Sequence, residues 1–322
     1  MPPPGAPFTD EAVLSLKRLS LAALVLAFAQ IVFGAIVRIT GSGMGCGDHW
    51  PKCLGAWFPP LDRIDLIIEI SHRYLALALS LVILAMVISA WRSRSQSGVS
   101  GRGGVLRPVI AAGVLVVVAA LLGAVTVKLL LNPLVIAAHL TIAMSLLATL
   151  ALVYFRTGGL GAGTSLTGGS SRAARSTRAA VVMAILTLIL GALTANLPNA
   201  ASSCTGFPIC RTITAEGTAL TVHIVHRVLA FVLFGHLLGI AIATGKRKEP
   251  KPVRTAARFA FGAALVQVLI AAAMIETAFP AFLRSLHQAV GTLVWLAIVT
   301  LAILATAASR AQDQPLETRA AA

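Results

Sequence analysis

This chain of 322 residues is short of charge: Asp, Glu, Lys and Arg make up 11% of it, against about 25% in an average soluble domain. With 57% of its residues hydrophobic, a water-soluble fold has no way to hide so much apolar surface, and that class is excluded. Interruptions are missing as well. The apolar residues run in blocks of roughly 20, the length that crosses about 30 Å of hydrocarbon at about 1.5 Å per residue. Lipid is the solvent.

The blocks fall at 19–39, 66–90, 108–128, 134–155, 179–197, 218–244, 256–278 and 283–308. They predict an all-α integral membrane protein with eight transmembrane helices and both termini on one side. Ala27-Phe28-Ala29 looks like a signal-peptidase site, but the apolar run continues to Val37 and further spans follow, so the block reads as a membrane helix.

Acids are scarcer than bases, and the net charge of +15 invites a nucleic-acid partner. The position of the charges argues against one. Lys17 and Arg18 precede the first span; Arg92, Arg94, Arg102 and Arg107 lie between the second and third; Arg156, Arg172, Arg175 and Arg178 lie between the fourth and fifth. Lys246, Arg247, Lys248, Lys251, Arg254 and Arg258 lie between the sixth and seventh, and Arg310 and Arg319 follow the last. All fall on one face, which the positive-inside rule makes cytoplasmic, so no nucleic acid is called for.

The longest polar stretch between spans, 157–178, is rich in Gly, Ser, Thr and Arg and reads as a flexible cytoplasmic linker. It separates an N-terminal half, 1–156, from a C-terminal half, 179–322. The halves resemble each other. Cys46 and Cys53 recur as Cys204 and Cys210 at offsets of 158 and 157, His72-Arg73 recurs as His226-Arg227 at 154, and His139 recurs as His287 at 148. So small a drift is what an internal duplication leaves, and it predicts two pseudo-symmetric four-helix bundles.

The four cysteines lie two by two in non-cytoplasmic loops, where an oxidising surrounding favours a short disulfide within each loop. Zinc competes weakly because the usual C-x-x-C spacing is missing. A redox relay of the cysteines stays open.

Histidines carry the strongest signal. His72, His139, His226 and His287 each lie five to eight residues inside the outer entry of their span, roughly 8–12 Å deep. Any one of them reads equally well as a buried residue bonding a neighbouring helix. Four at one depth, two per half, point instead to axial ligation of haem iron, one site from His72 and His139 and another from His226 and His287. Arg73 and Arg227, beside the ligands, suit haem propionates or plain interfacial snorkelling. Glu69, three residues before His72, shares its helix face, whereas the matching position in the second half is His223. An acid there predicts chemistry at the first site and milder work, such as electron transfer, at the second. An ion pair between Glu69 and Arg73 is the competing account. His49 and His236 read as ligands of neither site, and Gly34, Gly123 and Gly191 permit close helix packing.

The run VRITGSGMGCGDHWPKC closing the first span, EISHR opening the second, VHIVHR below its two-cysteine loop and LHQAVG in the eighth resemble the haem A synthase family, in order and over nearly the whole chain. The resemblance implies oxidation of one methyl group of haem O, by successive hydroxylations and loss of water, to the formyl group of haem A. It implies that His72 and His139 hold haem O as substrate, that His226 and His287 ligate the iron of a haem b cofactor, and that Glu69 is the catalytic acid-base. It also implies disulfides Cys46–Cys53 and Cys204–Cys210, a place in the plasma membrane, and partners among haem O synthase, cytochrome oxidase assembly factors and quinone. The rival readings are a di-haem b electron-transfer protein linked to quinone and a proton-coupled transporter.

Overall fold

The protein is described by a computed structural model over residues 10–60, 62–96, 98–101, 103–160, 162 and 166–312. Arg102, Arg319 and parts of the 157–178 stretch lie outside the described residues. Eight long helices form the molecule: α1 (Asp10–Ile39), α2 (Ile64–Arg92), α3 (Leu106–Lys128), α4 (Pro133–Arg156), α5 (Ser171–Asn196), α6 (Thr218–Lys246), α7 (Lys251–Glu276) and α8 (Ala281–Gln312). Each is long and apolar enough to cross a membrane. Large apolar side chains such as Leu84, Val117, Val228 and Leu269 stand exposed. That outer surface suits hydrocarbon and not water, and the chain is a multi-pass membrane protein.

The helices begin at or before the apolar blocks that announce them. α5 begins at Ser171, eight residues before its block, because a block marks only the hydrocarbon part and Arg172, Arg175 and Arg178 occupy the first polar turns. Its start is set by Ser170, whose Oγ accepts the Ala173 amide at 3.1 Å, a side-chain cap for an otherwise orphan N–H. Glu249, buried between α6 and α7, accepts the Ser170 amide at 3.0 Å and ties this end down. α4 is started by Asn132, capping Leu134 N–H at 3.0 Å, with Pro133 at the first helical position.

Two rings result. α1 packs on α2 and α4, and α3 on the same two; α5 packs on α6 and α8, and α7 on those two. The rings join through α1, α4, α5 and α8. α8 is the most buried of the eight along its apolar length and α3 the least, which puts α8 at the centre and α3 at the edge. The Trp295 indole of α8 donates to the Met144 carbonyl of α4 at 2.9 Å across the seam. Small buried residues, Ala180 and Ala184 on α5 and Ala257, Ala260 and Ala264 on α7, let backbones approach where no hydrophobic effect drives association.

The turns α3–α4 and α7–α8 are built alike. Leu130 and Leu131 have φ of 49° and 62°, and Ala278 and Phe279 have 59° and 61°. Leu131 N–H reaches Thr126 O at 2.9 Å and Phe279 N–H reaches Met274 O at 2.8 Å, the six-residue closure of a Schellman cap. Left-handed backbone is costly without glycine, and it recurs at the offset of 148 that separates His139 from His287. At the same end of the bundle lie the two cysteine loops, one with a short 3-10 turn (Ser42–Met44) and one with a small hairpin of β1 (Cys204–Thr205) and β2 (Thr212–Ile213).

Candidate functional site

The four histidines gather two by two. His72 and His139 lie within electrostatic reach of each other in the first ring, and so do His226 and His287 in the second. All four are half-buried. Backbone room is made by glycine: a Cβ on Gly34 would stand 3.1 Å from His72 Cε1, one on Gly123 3.5 Å from His139 Cε1, and one on Gly191 2.9 Å from His226 Cε1.

Their ring nitrogens are treated differently in the two halves. His226 Nδ1 donates to the Thr187 carbonyl at 3.0 Å, which leaves Nε2 with its lone pair for a ligand. The Gln267 amide donates to the His287 carbonyl at 3.0 Å and lies 3.1 Å from His287 Nδ1. In the first half Gln30 sits on His72 in the same way, 3.1 Å from its carbonyl and 3.2 Å from Nε2. The Nδ1 atoms of His72 and His139 are buried without a partner among the described residues.

Between the helices of the second ring lies a cavity of about 520 Å³, within the range that takes a large cofactor. His226 and His287 line it, with His223, Arg227, Arg38 and Arg284 on its flank toward the cysteine loops.

At that end each ring clamps its loop by one design. Cys46 is bonded to Cys53 and Cys204 to Cys210, so no thiolate is left for zinc. Glu69 is buried, accepts the Cys46 amide at 2.7 Å through Oε2, and pairs with Arg73 at 2.5 Å through Oε1. Arg73 donates onward to the carbonyls of His49, Pro51 and Lys52 at 2.8, 3.3 and 3.0 Å. In the second half His223 Nδ1 meets Ala200 O at 2.8 Å, while Arg227 donates to His223 Nε2 at 2.9 Å, Gly206 O at 2.8 Å and Cys204 O at 2.7 Å. The ion pair expected between Glu69 and Arg73 is thus formed, and Arg73 and Arg227 both direct donors to loop carbonyls. Asp48 in the first loop bonds Lys128 at 3.2 Å, which holds its carboxyl below the usual carboxylate range. His49 is exposed in that loop, and His236 meets Ser176 O at 3.0 Å, far along α6 from His226.

The profile of COX15-CtaA, the cytochrome oxidase assembly protein family, matches residues 17–299. The chain belongs to this family. A protein of Geobacillus kaustophilus (strain HTA426) named heme A synthase is 42% identical to it over 79 residues, 24% of this chain and 25% of that protein. One of Staphylococcus aureus (strain JH9), with the same name, is 46% identical over 72 residues, 22% of this chain and 23% of that protein. The alignments therefore span about a quarter of the length of these relatives.

In this COX15-CtaA member three side chains of the layer, Gln30, Gln267 and Arg284, lie outside the motifs, and Arg38 lies within the first of them with no role read for it. The signal available was polarity inside an apolar block, since intramembrane polar groups seek a partner or a cavity.

Proposed function

We propose that the protein works as a haem A synthase, oxidising one methyl group of haem O to the formyl group of haem A. The observation that carries the proposal is the doubling of one paired-histidine layer in which an acid, Glu69, accompanies only the first pair. Family membership and the likeness to proteins named heme A synthase support it. The first half, 1–156, then takes haem O between His72 and His139. The second, 179–322, holds haem b between His226 and His287, and 157–178 joins them.

The residues fit such a group in the second half. Its cavity is walled by the two imidazoles, Thr187 O fixes one ring so that Nε2 faces inward, and Gly191 keeps the wall clear where a Cβ would collide. A haem held there by His226 and His287 would supply one-electron redox chemistry. At the first site Arg73 and the Cys46 amide fix the Glu69 carboxylate one turn from His72. From that position Glu69 takes or returns protons as the methyl carbon is hydroxylated and as water leaves the hydrated aldehyde. The disulfide loops shield this end from water. The basic loops face the cytoplasm, the membrane is the plasma membrane, and the product serves assembly of a terminal cytochrome oxidase.

The test is pigment analysis. Membranes that contain this chain and a source of haem O are extracted and the haems separated; haem A is expected. Folded protein that binds haem yet yields no haem A overturns the synthase reading and leaves a di-haem b electron carrier.

A further inference from the structure

The second-half cavity has a charged rim, and no carboxylate among the described residues lines it to neutralise that charge. Arg38, at the end of α1, and Arg284, three residues before His287 on α8, both line it. Other basic residues at this end are engaged. Arg63 pairs with Asp65, Arg73 with Glu69, Lys128 with Asp48 and Arg211 with Glu276, while Lys52 lies over the Trp57 ring and Arg227 bonds loop carbonyls. Arg38 has one hydrogen bond, Nη1 to Ala195 O at 3.3 Å. The side chain of Arg284 has none among the described residues. Two half-buried guanidinium groups facing one cavity repel each other and keep most of their donors unused. An anion cancels both costs.

The position of the pair says which part of a ligand they would meet. Arg284 shares a helix face with His287 and lies about 4.5 Å nearer the cysteine loops. A group centred between the histidines would therefore present its edge on that side to both arginines. Guanidinium forks bind carboxylates through paired charge-assisted hydrogen bonds. The first ring has no such rim: by the offsets of 157 and 148, the counterparts of Arg38 and Arg284 are Ala195 and Ile136.

We propose that Arg38 and Arg284 are the two arms of a carboxylate clamp that holds the propionate edge of the haem between His226 and His287. One arm belongs to the first half, so the second site is complete only when the rings are joined. The clamp makes the second site a permanent seat, and its absence from the first lets that site exchange its occupant. This inference rests on the haem reading above.

The test reads haem retention, not turnover. Full-length protein carrying His72→Ala, so that only the second site is read, is loaded with haem b or with its dimethyl ester, and transfer to apomyoglobin is followed. With the arginines intact, the diester should leave at least about tenfold faster than the free acid, as befits loss of charge-assisted bonds. In Arg38→Gln/Arg284→Gln the free acid should leave as fast as the diester, and Arg38→Lys/Arg284→Lys should recover part of the difference. Equal rates for the two haems with the arginines intact overturn the clamp, whatever becomes of the variants. Uptake of neither haem, with no Soret band, overturns the haem reading itself.

Discussion

The two halves solve one mechanical problem with different chemistry. Each needs a polar tether between the start of its second helix and a disulfide loop. The first uses a carboxylate, Glu69 to Arg73 and the Cys46 amide; the second uses an imidazole, His223 with Arg227, Ala200 O and Ser203. Because an uncharged ring does the work in one half, tethering alone does not require an acid in the other, and a charge there has a second use. The histidine pairs differ as well. Gln267 meets His287 much as Gln30 meets His72, but His226 Nδ1 is held by Thr187 O, whereas Nδ1 of its counterpart His72 has no hydrogen-bond partner among the described residues. A ring fixed by the backbone suits a resident ligand, and a ring met by a side chain alone suits one that comes and goes.

The comparison is broken most directly at Glu69. Glu69→Gln keeps an oxygen for the Cys46 amide and removes the charge, so haem uptake should persist while conversion falls by about 10²–10⁴-fold, the usual worth of a general acid-base. His223→Gln should leave conversion near the parent rate. Haem A per unit of bound haem is the measure, and equal losses in the two variants would reduce Glu69 to a tether. Next in size, His226→Met or His287→Met should change the Soret and α bands and raise the potential of the second-half haem, since Met replaces an imidazole as axial ligand. An unaltered spectrum in both would move the haem elsewhere.

Much of this arrangement is legible in the sequence, for physical reasons that also mark where legibility ends. Spans show as apolar blocks, and counting residues inward from each entry puts His72, His139, His226 and His287 at one depth. The Glu69–Arg73 pair follows from helical spacing and is formed. What a helix meets across the bundle depends on its rotation about its axis, which mean hydropathy does not report in lipid. Gly34, Gly123 and Gly191 are recognisable as packing residues, but not as the positions that face three imidazoles. Gln30 and Gln267 look like stray polar residues until their histidines are opposite. Arg38 stands in the first-half motif VRITGSGMGCGDHWPKC with no role read for it, although it opens onto the cavity of the second half.

Those glycines grade the comparison further. Gly191→Ala would put a Cβ 2.9 Å from His226 Cε1, so the ring or helix must shift, whereas in Gly123→Ala the 3.5 Å to His139 is ordinary contact. The expected cost is about 1–3 kcal/mol for the former, as for other overpacked sites, and little for the latter. Thermal unfolding of the haem-loaded protein should rank Gly191→Ala below Gly34→Ala and Gly123→Ala. The reverse order would mean that α5 and α6 are less closely packed than they stand here.

The smallest effect is expected where the halves are mirror images in charge. Loop one is pinned to the end of α3 by Asp48 and Lys128, loop two to the end of α7 by Arg211 and Glu276, with the signs exchanged. Both pairs are exposed, so solvent and salt screen them. Asp48 is held below its ordinary pKa by Lys128, so its contribution is complete above that ordinary value and is lost as pH falls through the lowered one. Asp48→Asn should therefore leave unfolding at neutral pH almost unchanged and remove a shallow decline in strong acid. If it instead destabilised the protein at neutral pH as much as Gly191→Ala, the loop would hang on one surface charge, and the clamp from Glu69 through Arg73 would not be what holds it.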